Sequence, residues 1–178
     1  MHILILGSYA PSLINFRGPL IRSLLAAGCR VSAGAPDISA DVRATLEAWG
    51  VSVHDTPMTR TGTGLGADLH YCSGLVALFR RTRPDLLLTY TIKPNIWGAF
   101  AAARAGVPSV AMVTGLGYAF TDTGERPSLR RRLTGLIARR LYRAATSRNR
   151  RVIYQNPDDR DDFITAGCLA DPDKAALI

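Results

Sequence analysis

Short apolar runs, each bounded by turn residues and followed by a stretch with helical spacing, constrain this chain more than any other feature. The runs predict strands at 2–6 (HILIL), 30–35 (RVSAGA), 51–54 (VSVH), 85–90 (DLLLTY), 108–113 (PSVAMV) and 151–155 (RVIYQ). Between and after them, the spacing predicts helices over 16–27, 39–49, 67–82, 94–105, 127–146 and 157–166. Several strands are apolar throughout instead of alternating, as expected when helices cover both faces of a parallel sheet. Gly28, Gly50, Gly106 and Gly167 each follow a helix, where a left-handed residue ends it. Asn156, Pro157, Asp158 and Asp159 read as the cap and acidic first turn of the last helix. The expected fold is α/β, a doubly wound parallel sheet, Rossmann-like, in three layers α/β/α. Ala175 to Ile178 is strand-like and follows the turn-forming Asp171-Pro172-Asp173.

A chain of 178 residues suits a single domain, and roughly 70% of the surface its unfolded form exposes is buried on folding. With 47% hydrophobic and 20% charged residues, it is neither disordered nor collagenous nor a disulfide scaffold. Cys29, Cys72 and Cys168 have no CxxC spacing and read as reduced thiols, which points to the cytoplasm. No run of 18 apolar residues is present. The net charge of +8 is local: ten of the 20 arginines fall between Arg126 and Arg151, where no acidic residue occurs.

In a parallel sheet the ligand crevice lies at the carboxyl ends of the strands. The loop after the first strand, Gly7 to Gly18, is not GxGxxG, which disfavours NAD(P). Asn15 and Arg17 stand there at a predicted helix start, placed to hold a phosphate or sugar hydroxyls, or Asn15 only caps the helix. After the fourth strand comes Thr91-Ile92-Lys93-Pro94-Asn95. Lys93 at a helix N-terminus opposes the dipole and calls for an anion. After the fifth strand, Thr114, Gly115, Gly117 and Tyr118 offer close backbone approach and an aromatic face for a sugar or lipid; a plain Gly-rich turn is the other reading. The three histidines show no metal-site spacing and no hydrolase motif occurs.

On a helical wheel, 127–146 gathers Leu129, Leu133, Leu136, Ile137 and Ala144 on one face, with Arg132, Arg139 and Arg143 as an adjacent stripe. Arg140 falls within the apolar face and must snorkel, pair or reach into the crevice. The stripe reads as a solvated face, a nucleic-acid contact or a basic amphipathic helix on anionic lipid. No nucleic-acid motif accompanies it, and 26 residues without counter-charge favour lipid or a lipid-linked diphosphate.

Taken together, Gly7-Ser8-Tyr9-Ala10-Pro11-Ser12-Leu13-Ile14-Asn15-Phe16-Arg17-Gly18, Thr91-Ile92-Lys93-Pro94, Thr114-Gly115-Leu116-Gly117-Tyr118 and Gln155-Asn156-Pro157-Asp158-Asp159 resemble the N-terminal half of family 4 glycosyltransferases. The nearest group is the bacterial enzymes that extend sugars on undecaprenyl diphosphate. The resemblance implies the N-terminal half of a GT-B fold and a nucleotide-sugar donor. It further implies retention of anomeric configuration, no required metal and no other cofactor. It implies an acceptor-binding domain over 1–178, with the nucleotide-binding domain and its E-x7-E pattern beyond this chain, whose only glutamates are Glu47 and Glu125. Gly18 matches the glycine whose backbone lies near the donor diphosphate. Many relatives place an active-site His in the loop occupied here by Thr114 to Tyr118, where this chain has none. The resemblance also implies a polyprenyl-diphosphate-linked acceptor, a peripheral position on the inner face of the plasma membrane, and an inactive domain when isolated. A non-catalytic membrane-docking module and a nucleotide-binding oxidoreductase are the alternatives.

Overall fold

The computed structural model describes residues 1–59, 64–115 and 129–178, the side chains of 129–132 aside. Seven strands form one sheet: β1 (His2–Leu6), β2 (Arg30–Ala35), β3 (Ser52–Asp55), β4 (Leu86–Tyr90), β5 (Ser109–Val113), β6 (Arg151–Tyr154) and β7 (Ala175–Leu177). Their order is β3-β2-β1-β4-β5-β6-β7, and every pairing is parallel. The helices are α1 (Pro11–Asn15), α2 (Gly18–Ala26), α3 (Ala40–Ala48), α4 (Leu65–Thr82), α5 (Ile92–Ala105), α6 (Leu129–Thr146) and α7 (Pro157–Thr165). All six expected strands are present, and the strand-like end of the chain is β7.

The sheet is buried on both faces. Ile3, Ile5, Val31 and Ala33 pack with Leu13, Ile21 and Leu46 of α1, α2 and α3. Leu4, Leu6, Leu87 and Val152 pack on the opposite side with residues of α4 to α7. The expected doubly wound, three-layer architecture is therefore the observed one. Gly28, Gly50, Gly106 and Gly167 all have left-handed φ, between 71° and 86°. Asn156 caps α7 as expected, accepting from the Asp159 N–H at 2.7 Å.

Two expectations need correction. The helix expected from residue 16 begins at Gly18, a separate short helix precedes it, and Asn15 ends that α1 instead of capping α2. On α6, the face that carries Leu133, Leu136 and Ile137 turns to solvent, at 59%, 48% and 47% exposed. The core receives the other side, through Tyr142, Ala145 and the half-buried Leu141. At about 100° per residue the centres of the two faces stand about 130° apart, so the helix carries a broad apolar surface of which only the Leu141–Tyr142–Ala145 side is covered. Arg140 lies on the uncovered side and is exposed, which relieves the conflict its position on the wheel posed.

Candidate functional site

The strand order reverses between β1 and β4: chain growth runs from β1 through β2 to β3 on one side and from β4 towards β7 on the other. A crevice outside the carboxyl ends of such a pair is where open α/β sheets take ligands. Gly7 leaves β1 here, and Tyr90 ends β4. A Cβ on Gly7 would lie 2.3 Å from the Tyr90 hydroxyl, so the missing side chain lets the phenol cross the end of β1. The Ser12 hydroxyl gives its proton to the Tyr9 carbonyl and stands 2.8 Å from the Tyr90 oxygen, so the phenol donates to Ser12. Burial pushes the Tyr90 phenol above its ordinary pKa, and it stays protonated.

Arg17 completes this corner. Its backbone N–H donates to the Ser12 carbonyl at 3.0 Å, and it occupies the position just before α2. Its guanidinium lies 4.8 Å from the centre of the Tyr90 ring, the residue is 9% exposed, and its Nε is buried without a hydrogen-bond partner. Among the described residues no carboxylate pairs with it. A desolvated cation–π contact contributes about 2 kcal/mol, whereas burying an ion costs several. Burial accordingly lowers the Arg17 pKa, opposed by its attraction to Tyr90. The corner therefore holds a buried cation with an aromatic partner and, among the described residues, no carboxylate.

Thr91, next in the chain, adds strain. It has φ 70° and ψ 157°, a region that β-branched residues avoid, and its Oγ1 is buried without a partner. Such backbone costs about 1–3 kcal/mol and concentrates at ligand sites. Arg17 and Thr91, the residue after Tyr90, thus each carry a buried polar atom without a hydrogen-bond partner.

The other sequence candidates divide clearly. Asn15 is exposed near this corner. Gly18 is buried; a Cβ there would meet the Trp49 ring at 3.3 Å, so packing of α2 on Trp49 is one reason for the glycine. Lys93 does stand in the first turn of α5, but its anion is internal. It pairs with Asp68 of α4 at 2.7 Å and donates to the Thr59 carbonyl at 2.7 Å. Asn95 is enclosed, against expectation. Its oxygen accepts from Thr89 at 2.7 Å and its amide donates to the Met112 carbonyl at 3.0 Å, which ties α5 to β4 and β5 and leaves no surface for a ligand. Thr114 and Gly115 are exposed beyond β5, Gly115 with φ 127°. Gly117 and Tyr118 lie outside the described residues, as does the side chain of Arg132. Arg139 and Arg143 are exposed on α6, and Arg143 also donates to the Leu169 carbonyl at 3.3 Å. Sequence reasoning did not single out Ser12, Tyr90 or the strain at Thr91; Ser12 stood only within the Gly7–Gly18 loop.

Among the described residues no three His, Cys, Asp or Glu side chains converge as metal ligands, and no helix is long and apolar enough to cross a membrane. Comparison with known proteins adds the following. The family described as the glycosyl transferase 4-like domain matches residues 17–178. Comparison with curated protein sequences gives no match. Among solved structures, Anabaena Alr3699/HepE in complex with UDP superposes with a TM-score of 0.62 at 18% identity, over 100% of this chain and 43% of that one. UDP-GlcNAc 2-epimerase from Neisseria meningitidis, bound to UDP-GlcNAc, gives 0.66 at 14% identity, over 99% and 46%. MurG of Acinetobacter baumannii gives 0.60 at 12% identity, over 89% and 42%. The chain therefore spans less than half the length of each of these structures, and the likeness is one of fold.

Proposed function

Because this chain belongs to the glycosyl transferase 4-like domain family, we propose that it is the acceptor-binding half of a retaining GT-B glycosyltransferase. The whole enzyme moves a sugar from a nucleotide-sugar to a saccharide carried on a polyprenyl diphosphate. The observation that carries this reading is the buried Arg17 at the sheet's switch point, without a carboxylate partner among the described residues, together with the unpartnered hydroxyl of Thr91 at the end of the neighbouring β4. A diphosphate supplies what both groups lack: negative charge for the guanidinium and an acceptor for the hydroxyl. Arg17 and Thr91 hold the carrier's diphosphate, and Asn15 lies at its edge. The Gly18 backbone faces the donor diphosphate, while Thr114, Gly115, Gly117 and Tyr118 flank the acceptor sugar. Lys93 serves through Asp68, shaping the crevice wall.

In the transfer, the bond from the anomeric carbon to the donor diphosphate breaks and a bond to an acceptor hydroxyl forms. Negative charge grows on the leaving diphosphate and positive charge on the sugar ring. Cations and fixed dipoles in a closed cleft stabilise that separation. Half a cleft cannot exclude water, so the 178 residues alone have negligible transferase activity.

The uncovered face of α6 supports a membrane-bound acceptor. Leu133, Leu136 and Ile137 project outward beside Arg139 and Arg143, with Arg132 in the same stripe. This is the pattern of a helix lying in the headgroup layer, with each arginine near an anionic leaflet contributing about 1 kcal/mol. On this reading the enzyme is peripheral on the inner face of the plasma membrane.

The site is tested by calorimetric titration of the chain with geranyl diphosphate. The expected result is binding that weakens at least tenfold in Arg17→Gln; equal binding in the variant overturns the assignment. The whole reading is tested with the full-length protein, a panel of UDP- and GDP-sugars and undecaprenyl-diphosphate-linked acceptors. Absence of transfer across the panel refutes it. Co-sedimentation should occur with phosphatidylglycerol vesicles and fail after Arg132, Arg139 and Arg143 are changed to Glu. Equal binding to phosphatidylcholine vesicles removes the electrostatic claim.

A further inference from the structure

β3 is an edge strand and pairs only with β2. The Thr56 N–H, just beyond β3, donates to the Ala35 carbonyl of β2 at 3.0 Å. Peptide groups alternate sides along a strand, so those of Val53 and Asp55 face away from β2 into the open edge. Among the described residues neither of these N–H groups has an acceptor. Such a row of outward N–H and C=O groups is a template for another strand. Arg43 of α3 lies across it. Its guanidinium donates to the Val53 carbonyl at 3.3 Å, pairs with the Asp55 carboxylate and stands 3.6 Å from Glu47, one turn further along α3. One planar fork thus ties an edge carbonyl to the carboxylate two residues on.

As a source of stability this contact is minor. The Glu47 and Asp55 side chains are 54% and 53% exposed, and ion pairs so open to water contribute little. As an obstacle it is effective. A neighbouring strand would lie about 4.7–4.9 Å from β3, in the space the guanidinium occupies, and would have to cover a cation stripped of its partners. The strand most complementary to this edge is a second β3. Turned about a twofold axis at His54, two copies set Val53 opposite Asp55 on both sides of the axis. Each such pair exchanges both of its N–H···O bonds, and no carboxylate faces another. We propose that Arg43 is a strap on the open edge of the sheet. In place, it keeps the chain from pairing strand to strand; released, it uncovers a surface on which β3 of a second copy adds. This surface is separate from both the diphosphate crevice and the exposed face of α6.

The test is sedimentation velocity over a concentration series, with amide hydrogen exchange read by NMR, on the chain and its variants. The wild-type chain should show fast exchange at Val53 and Asp55 at every concentration. Arg43→Ala should self-associate at least tenfold more tightly than wild type, with protection of those two amides that grows with concentration. Adding Asp55→Pro should return it to wild-type behaviour, because proline has no N–H to give a new strand and is tolerated on sheet edges. Arg43→Met serves if Arg43→Ala folds poorly. It keeps an apolar stem on α3 and loses every donor, and the same result is expected of it. A folded Arg43 variant no more associated than wild type overturns the proposal. So does association without protection at Val53 and Asp55, which assigns it to another surface such as α6, or association that survives Asp55→Pro. Protection of the two amides in wild type also overturns it, since the edge would then be paired with the strap in place.

Discussion

Arg17 and Lys93 look alike in the sequence: single cations at helix starts, following β1 and β4 of one sheet. In the fold they are opposites. Lys93 meets Asp68 across the first turns of α5 and α4, so each helix start keeps its charge balanced within the chain. Arg17 is buried against an aromatic ring with no carboxylate partner among the described residues. The lesson is that a cation at a ligand crevice is informative only once its anion has been looked for. The finished pair is part of the scaffold; the unfinished one is where the proposed diphosphate site is put to the test.

The largest effect that separates the two comes from Asp68→Asn. It strands Lys93 as Arg17 is stranded, and urea unfolding should show a loss of about 2–3 kcal/mol, the pair being slightly exposed. A loss below about 0.5 kcal/mol would mean that the pair is a surface contact and the contrast is false. Arg17→Met should do the reverse, leaving stability unchanged or raising it by about 1 kcal/mol as an uncompensated buried charge disappears, while geranyl diphosphate binding falls. A destabilised variant would show that Arg17 belongs to the scaffold after all. Thr91→Gly probes the same corner through the backbone. Relief of the φ 70° conformation should raise stability by about 1 kcal/mol, and loss of the hydroxyl should weaken diphosphate binding more modestly than loss of Arg17.

The smallest effect is a pH dependence away from both cations. His54 has a lowered pKa through burial first, then through the nearby Arg81, His2 and Arg43 charges, with Asp55 opposing them. His2 is lowered by burial and by Arg30. The folded chain keeps both neutral where the unfolded chain takes up protons, so stability is full above the ordinary histidine pKa of about 6.5 and falls as pH drops below it. Urea midpoints measured across that range should decline, and His54→Gln should flatten the decline.

The strands were legible because burial on both sides demands near-continuous apolar runs, as in Ile3–Leu6 and Leu86–Leu88. The five-residue α1 was not, because it is too short to show a helical period, and Asn15 was misplaced with it. On α6 periodicity showed the amphipathic pattern but not which apolar face is covered: the core takes Tyr142, Ala145 and Leu141 and leaves Leu133, Leu136 and Ile137 outside. Asn95 illustrates another limit. An amide beside a crevice and an amide tying two strands to a helix have the same letter, and only the Thr89 and Met112 partners tell them apart. Arg17 was legible as a candidate because of where it stood, but its burial was not.

The strand order has a consequence for synthesis. β1 is made first yet lies inside the sheet, and its second neighbour is β4, with Ile3 opposite Leu86. At about 5–20 residues per second, roughly 4–16 s separate the two on the ribosome. For that interval one edge of β1 stays unpaired, its apolar side chains open to any other strand. The nascent chain is most vulnerable to mispairing before residue 90 emerges, and a chaperone or slow local translation there would protect the fold better than anywhere downstream.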